Sequence, residues 1–306
     1  MQLLAPAKIN LYLRVGPLGA DGYEGFHPLV SWIVTVGLFD TLNFDRTEAE
    51  GLRFTCDDTS LPTDDRNIVV RATHALLAQR TEPSGSAAGS SSRPDGASIV
   101  LNKNIPHAAG LGGGSSDAAA TLIGLNALLD LKRTDAELLR IGAALGSDVP
   151  FFFAAPSAVC TGRGEVVRRT PPPVRARWAV LLFPALGLST ARVYQAFDAR
   201  PFGKAGAGVE PDWREQPDWQ QWASLSSDAL LPRLVNDLES PAFAVSPELA
   251  DLRDRAERAL SRVVRMSGSG STLFTLFDDE PAARSAAEQL VRDLGIRATA
   301  VPVAPH

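Results

Sequence analysis

Hydrophobic and polar positions alternate along the first fifteen residues, with Leu3, Ile9, Leu11 and Leu13 marking the apolar face. That period of two predicts a first strand or strand pair over residues 2–15. A turn-rich stretch runs from Gly16 to Gly22, and residues 29–44 are then rich in Val, Ile, Trp and Phe, which predicts another strand. Over residues 68–77 the apolar positions take helical spacing, with Asn67 as the N-cap. Residues 98–101 read as a short strand. Ala120, Leu122, Ile123, Leu125, Ala127 and Leu128 predict a helix over residues 116–131. Thr134 and Glu137 form a capping box for the next helix, which Gly146 ends as a C′ glycine. Residues 178–183 read as a buried strand. A helix over 247–260, a strand over 262–266, a glycine turn, a strand over 272–277 and a helix over 281–294 follow. This alternation predicts an α/β sandwich for the C-terminal part.

Two stretches fall outside the pattern. Residues 81–96 are rich in Ser, Gly, Ala and Pro, with too little apolar surface to offset ordering, so a mobile loop is expected. Residues 201–222 hold Pro211-Asp212-Trp213 and Pro217-Asp218-Trp219, a repeat too short for a solenoid, which reads as an irregular insertion.

A chain of 306 residues carries a prior of about two domains. With 45% hydrophobic and 21% charged residues it is neither a fibre, a disulfide scaffold nor a disordered polymer. The formal charge of −5 favours solubility and argues against general nucleic-acid binding. Cys56 and Cys160 are far apart and lack zinc-site spacing, so two buried thiols in a reducing cytosol are expected. The longest apolar run, residues 178–188, is about half a membrane span and is broken by Pro184 and Gly187. The N-terminus lacks a basic region followed by an apolar stretch. Together these predict a cytoplasmic protein with no membrane partner.

The chemistry concentrates in Pro106-His107-Ala108-Ala109-Gly110-Leu111-Gly112-Gly113-Gly114-Ser115-Ser116-Asp117-Ala118. Four glycines in five positions permit positive φ and let a ligand approach the amides. A helix follows directly, and its first N–H groups and dipole favour an anion, most naturally polyphosphate. The loop is not a Walker A motif, since Gly114-Ser115-Ser116 has no lysine, and Ser115 replaces the third glycine of a dinucleotide fingerprint. Asp117 is expected in the first helical turn, where the dipole favours an acid. From the residues alone, Lys8 reads as a surface strand lysine and Asp148 as a cap or turn residue.

Residues 106–119 resemble the phosphate loop of the GHMP kinases. Further blocks match that superfamily in order: Ala5-Pro6-Ala7-Lys8-Ile9-Asn10-Leu11, Asn67-Ile68-Val69, Gly146-Ser147-Asp148-Val149-Pro150-Phe151-Phe152 and Gly162-Arg163-Gly164-Glu165. Ser189-Thr190-Ala191 with Tyr194, Asn236-Asp237-Leu238-Glu239 and Met266-Ser267-Gly268-Ser269-Gly270-Ser271 complete the set. The blocks are most similar to the branch whose substrate is a cytidine-diphosphate polyol.

The resemblance implies an α+β, two-domain GHMP kinase fold. Its N-terminal half, residues 1–170, is ribosomal-protein-S5-domain-2-like and holds the ATP-binding and catalytic residues; its C-terminal half, 171–306, is a ferredoxin-like α/β sandwich. ATP and Mg²⁺ are the implied cofactors. The ATP phosphates fall to Pro106, Ala109, Gly110, Leu111, Gly112, Gly113, Gly114, Ser115 and Ser116. Lys8 and Asp148 fall at the catalytic pair. Asn10, Tyr23, Phe26, His27 and Tyr194 fall on the substrate side, and Asn67 and Lys103 near the nucleotide. The metal ligands stay unknown, with Ser116 a candidate. Gly268 and Gly270 form a turn near substrate and phosphates. The chain departs from the family where Asp-Gly-Tyr-His is expected: Glu24-Gly25-Phe26 stands between Tyr23 and His27. Both Tyr23 and Phe26 therefore remain candidates to stack on the base, with Phe26 preferred by adjacency to His27. The competing readings are a mevalonate-, homoserine- or sugar-type GHMP kinase, or a nucleotide-binding protein without catalysis. A monomer or weak homodimer is expected.

Overall fold

The computed structural model describes residues 1–49, 51–79, 96–200 and 212–305. The expected loop over 81–96, except Gly96, and the first part of the 201–222 insertion lie outside the described residues. In chain order the elements are β1 (Gln2–Val15), β2 (Leu29–Thr47), β3 (Leu52–Cys56), α1 (Ile68–Leu77), β4 (Gly96–Asn102), α2 (Gly113–Leu128), α3 (Asp135–Leu145), α4 (Val149–Ala154), β5 (Ser157–Thr161), β6 (Val166–Arg169), β7 (Trp178–Phe183), α5 (Thr190–Asp198), α6 (Trp219–Ala223), α7 (Ser227–Leu230), α8 (Glu239–Val245), α9 (Pro247–Leu260), β8 (Arg265–Met266), β9 (Leu273–Phe277), α10 (Glu280–Leu294) and β10 (Arg297–Pro302). Packing groups them into two compact units that interleave along the chain. One comprises Met1–Ala7, Leu38–Ile105 and Gly113–Phe153; the other comprises Lys8–Gly37, Pro106–Gly112 and Ala154–His306.

In the first unit the second half of β2 pairs antiparallel with β4, from Thr41 opposite Asn102 to Thr47 opposite Gly96, and β3 pairs parallel with β4. Leu42, Phe44 and Ile99 of this sheet meet Val69 and Leu76 of α1 and Leu122 and Leu125 of α2 in one core. The α2 backbone lies close against β2: a Cβ on Gly124 would stand 2.7 Å from the Phe44 ring. Asn67 caps α1 by accepting from the Val69 amide, and Thr134 and Glu137 make the expected capping box on α3.

Three local expectations change here. Helix α2 begins at Gly113, inside the glycine run, and not at residue 116. Asp117 consequently sits beyond the first helical turn. Gly146 closes α3 in extended backbone, at φ −179°, and so is not a left-handed C′ residue.

In the second unit the first half of β2 pairs with β5, from Ser31 opposite Cys160 to Val34 opposite Ser157, and β5 pairs with β6. A four-stranded antiparallel sheet of order β10-β7-β9-β8 forms the C-terminal sandwich. Val180 and Leu182 of β7 pack with Phe197 of α5, Leu249 of α9 and Leu290 of α10. Within the described part of the 201–222 insertion, Asp218 caps α6, and Trp219 packs edge-on to Tyr12, with ring centroids 5.4 Å apart. Cys160 is buried, Cys56 is half-buried, and neither is in a disulfide.

Candidate active site

Lys8 is almost fully buried on β1, at 3% exposure, not the surface lysine that strand position alone suggests. Its Nζ donates to Asn10 Oδ1 at 2.6 Å, and Asn10 Nδ2 donates in turn to Ser31 Oγ at 2.9 Å. Asn10 thereby fixes where the ammonium points. The Lys8 amide donates to Leu111 O at 2.9 Å, which ties β1 to the first part of the phosphate loop.

That part, residues 106–112, has positive φ at Ala108, Gly110 and Gly112. Gly110 is the position where only glycine fits, because a Cβ there would stand 2.2 Å from Ser267 O. The turn from Met266 to Ser271 braces the loop. Ser267 Oγ donates to Gly110 O at 2.8 Å, and the Thr272 amide donates to Ala109 O at 3.1 Å. A Cβ on Gly268 would lie 3.2 Å from Asn10 Oδ1, 3.3 Å from Lys8 Nζ and 3.4 Å from Gly110 O. The catalytic-lysine candidate, Asn10, the loop carbonyl and the second glycine turn thus converge on one small volume.

The second part of the loop, Gly113 to Ser116, is the opening of α2 in the first unit. Unpaired first-turn amides and the helix dipole make this terminus attractive to phosphate. A Cβ on Gly113 would stand 3.0 Å from Ile105 Cγ2 and 3.3 Å from Lys103 Nζ, so the helix start is seated on those side chains. Ser116 Oγ is buried with no hydrogen-bond partner among the described residues. Asp148 lies in the turn between α3 and α4, and that turn approaches Ser115: a Cβ on Gly146 would be 3.9 Å from Ser115 Oγ.

Beneath the helix start is a charged cluster that sequence reasoning missed. Lys103 Nζ is paired with Asp40 and, at 2.8 Å, with Asp117. Asp40 Oδ1 also accepts from the amides of Asn104, at 2.6 Å, and Ile105, at 2.8 Å. Burial pushes the Asp117 carboxyl up to about 7 against the attraction of Lys103, with Asp40 adding to the rise. Burial tends to lower the Lys103 ammonium, but the two carboxylates outweigh it and raise it overall. Asp117 is therefore desolvated, not dipole-stabilised, and the Lys103 ammonium is engaged by carboxylates. No local signal joins Asp40 to Lys103, which is 63 residues away; only the β2–β4 pairing brings them together. Asn67, the other expected neighbour of the nucleotide, serves as the α1 cap and donates to Pro62 O.

The candidate substrate residues of the second unit lie around the hairpin from Gly16 to Pro28. Its ends are tied by the Gly16 amide to Pro28 O at 2.7 Å, and Gly19 donates to Phe26 O at 2.9 Å. Phe26 is 49% exposed, with the Arg163 guanidinium 4.8 Å from its ring centroid. Tyr23 turns toward Gly162, where a Cβ would stand 2.9 Å from its hydroxyl. His27 points inward. Its Nδ1 lies 2.9 Å from Gly16 O and its Nε2 3.3 Å from Asp198 Oδ1, and its ring centroid lies 5.1 Å from that of Tyr194. Both imidazole nitrogens therefore have partners within the protein. His27 and Tyr194 come together as a pair, while Phe26 presents its ring outward.

Comparison with known proteins bears on this arrangement. Residues 67–155 match the GHMP kinases N terminal domain, and residues 215–296 match the GHMP kinases C terminal domain. The chain belongs to the GHMP kinases, with their α+β two-domain fold, and the family uses ATP as phosphate donor. It is 39% identical over 297 residues to the 4-diphosphocytidyl-2-C-methyl-D-erythritol kinase of Pelobacter propionicus, covering 96% of each chain. It is 41% identical over 300 residues to the enzyme of that name from Synechococcus sp. strain CC9605, covering 95% of this chain and 92% of that one. A crystal structure of 4-(cytidine 5'-diphospho)-2C-methyl-D-erythritol kinase superposes with a TM-score of 0.73 at 35% identity, covering all of both chains. Within the GHMP kinases, the chain belongs to the family of 4-diphosphocytidyl-2-C-methyl-D-erythritol kinases.

Proposed function

We propose that the protein transfers the γ-phosphoryl group of ATP to the 2-hydroxyl of 4-diphosphocytidyl-2-C-methyl-D-erythritol, a step of isoprenoid precursor biosynthesis. The observation that carries the reading is the buried Lys8 ammonium, aimed by Asn10 beside the Gly110 carbonyl and the Gly268 turn. A lysine is buried at such cost only where fixed acceptors or a bound anion offset its desolvation.

In the reaction the hydroxyl oxygen forms a bond to the γ-phosphorus as the bond to the ADP oxygen breaks. Asp148 orients the hydroxyl and takes its proton. Lys8 stabilises charge at the reacting oxygens. The amides of Gly110 to Ser116, with the hydroxyls of Ser115 and Ser116, hold the β- and γ-phosphates, and Pro106, Ala109 and Leu111 shape that loop. The unpartnered Ser116 Oγ fits a protein donor to Mg²⁺, which binds mainly through ATP oxygens and few side chains. When bound, Mg²⁺ neutralises the charge that develops on the phosphates. Phe26 stacks on the cytosine, and Tyr23, His27, Tyr194 and Asn10 shape the substrate side.

An exposed aromatic backed by a guanidinium serves a nucleobase and has no counterpart need in a mevalonate- or homoserine-type substrate. No helix among the described residues is long and apolar enough to cross a membrane. Phosphorus NMR of a reaction mixture tests the reading. A new phosphomonoester on the polyol, with the diphosphate resonances retained, supports it; ATP hydrolysis to free phosphate without that product refutes it.

A further inference from the structure

The Asn236-Asp237-Leu238-Glu239 segment has no part in the chemistry described so far. We propose that Asn236 is a positioning residue for phosphoryl transfer, acting through the Met266–Ser271 turn on the phosphate loop and on Lys8. The proposal rests on the kinase reading above for the identity of the two substrates.

The segment runs beside β1. The Leu13 amide donates to Val235 O at 2.8 Å and the Asp237 amide donates to Leu13 O at 2.9 Å. Asp237 also accepts from the Val15 amide at 3.0 Å and pairs with Arg14. It is therefore anchored to the strand that carries Lys8 and Asn10. From that anchor Asn236, 7% exposed, sends its side-chain Nδ2 into the glycine turn. Nδ2 donates to Met266 O and to Gly268 O, each at 2.8 Å, while Oδ1 accepts from the Leu238 amide at 2.9 Å. Glu239 completes the grip by accepting from the Met266 amide at 2.7 Å.

Between the two gripped carbonyls lies Ser267, fully buried, and its hydroxyl is the transmitting atom. It donates to Gly110 O at 2.8 Å and accepts from the Asn10 amide at 3.3 Å. One amide group thus fixes a turn in which the Ser267 hydroxyl links the phosphate loop to the strand of Lys8. A Cβ on Gly110 would meet Ser267 O at 2.2 Å, so a shift of the turn displaces Gly110 with it. An asparagine suits this place because two acceptors and one donor must be met by a single planar group. Aspartate has the same shape but would set one carboxylate oxygen against both carbonyls.

The test compares Asn236→Asp, Asn236→Ala and Ser267→Ala with the parent. The expected result is a kcat lower by about tenfold to a hundredfold and a raised KM for ATP, since small misplacements at a reacting centre have effects of that size. KM for the cytidyl polyol should rise less than KM for ATP, because Asn10 touches the turn while the Gly16–Pro28 hairpin is not gripped by Asn236. The Asn236→Ala Ser267→Ala double variant should be no worse than the poorer single variant, since both act through one turn. Ser267→Ala removes one hydroxyl and carries the test if the residue 236 variants do not fold. Amide hydrogen exchange gives a readout independent of any substrate: it should rise in residues 107–112 and 266–272 and stay unchanged in β7 and α10. Unchanged exchange in residues 107–112, or multiplicative effects in the double variant, would overturn the inference. A parent without activity on the cytidyl polyol would instead count against the kinase reading, and the exchange result would still decide the role of Asn236.

Discussion

Phe26 and Tyr23 differ in what their rings touch. Phe26 offers an exposed ring with Arg163 behind it, while the Tyr23 hydroxyl is directed at Gly162. Loss of a base stack costs about 1–3 kcal/mol, so Phe26→Ala should raise KM for the cytidyl substrate by about five- to 150-fold. Tyr23→Ala should raise it less, and KM for ATP should stay level in both; substrate-saturation kinetics check this. Asp148→Asn should lower kcat by about a hundredfold to ten-thousandfold with the melting temperature retained, as for removal of a general base.

Asp117 provides a pH test at the same scale. Its carboxyl is raised from 3.8 to about 7, so the native state holds a proton that the unfolded chain has released. The stability this contributes is complete below the unfolded value and is lost as pH rises through about 7. Lys103 is raised further from neutrality and stays charged in that window. Relative to Asp117→Asn, the parent should therefore lose melting temperature as pH rises from about 4 to about 8. A parallel pair of pH profiles would contradict the assignment. The roles proposed for Lys8 and Asp148 rest on the matching blocks alone, because a strand lysine and a turn aspartate carry no signature of their own. The inward turn of His27 was not legible at all, since its partners Gly16 and Asp198 are set by how the hairpin meets α5.

At the level of elements, helix α2 shows where propensity and packing oppose each other. Replacing a helical glycine with alanine ordinarily stabilises by about 1 kcal/mol. At Gly124 the added methyl would stand 2.7 Å from the Phe44 ring, so Gly124→Ala should instead destabilise by about 1–3 kcal/mol in denaturant titrations. Thr134→Ala removes the α3 capping box and should cost about 1 kcal/mol by the same measurement. Elements such as β1, α1, α9 and α10 were legible from periodicity because one face of each meets a core, whereas β3, β5, β6, β10, α4, α5, α7 and α8 were not anticipated. The start of α2 was not, because Gly113 and Gly114 are poor helix formers and are helical here through close seating on Ile105, Lys103 and Ile68. The capped helix α6 was likewise hidden in a short polar insertion, where Asp218 and the packing of Trp219 on Tyr12 make it.

For the whole molecule, the two family-model segments, 67–155 and 215–296, fall within the sequence halves 1–170 and 171–306, while the compact units interleave because β1 and β2 each run from one unit into the other. No run of consecutive residues encodes that interleaving, so it became visible only in the fold. The proposed selectivity for a cytidyl substrate rests on the exposed Phe26 ring of the Gly16–Pro28 hairpin. A coupled ADP-release assay with ATP, run separately with 4-diphosphocytidyl-2-C-methyl-D-erythritol and with mevalonate, tests it most directly. Turnover with the cytidyl polyol and none with mevalonate is the expected result; turnover with mevalonate and none with the cytidyl polyol would contradict it.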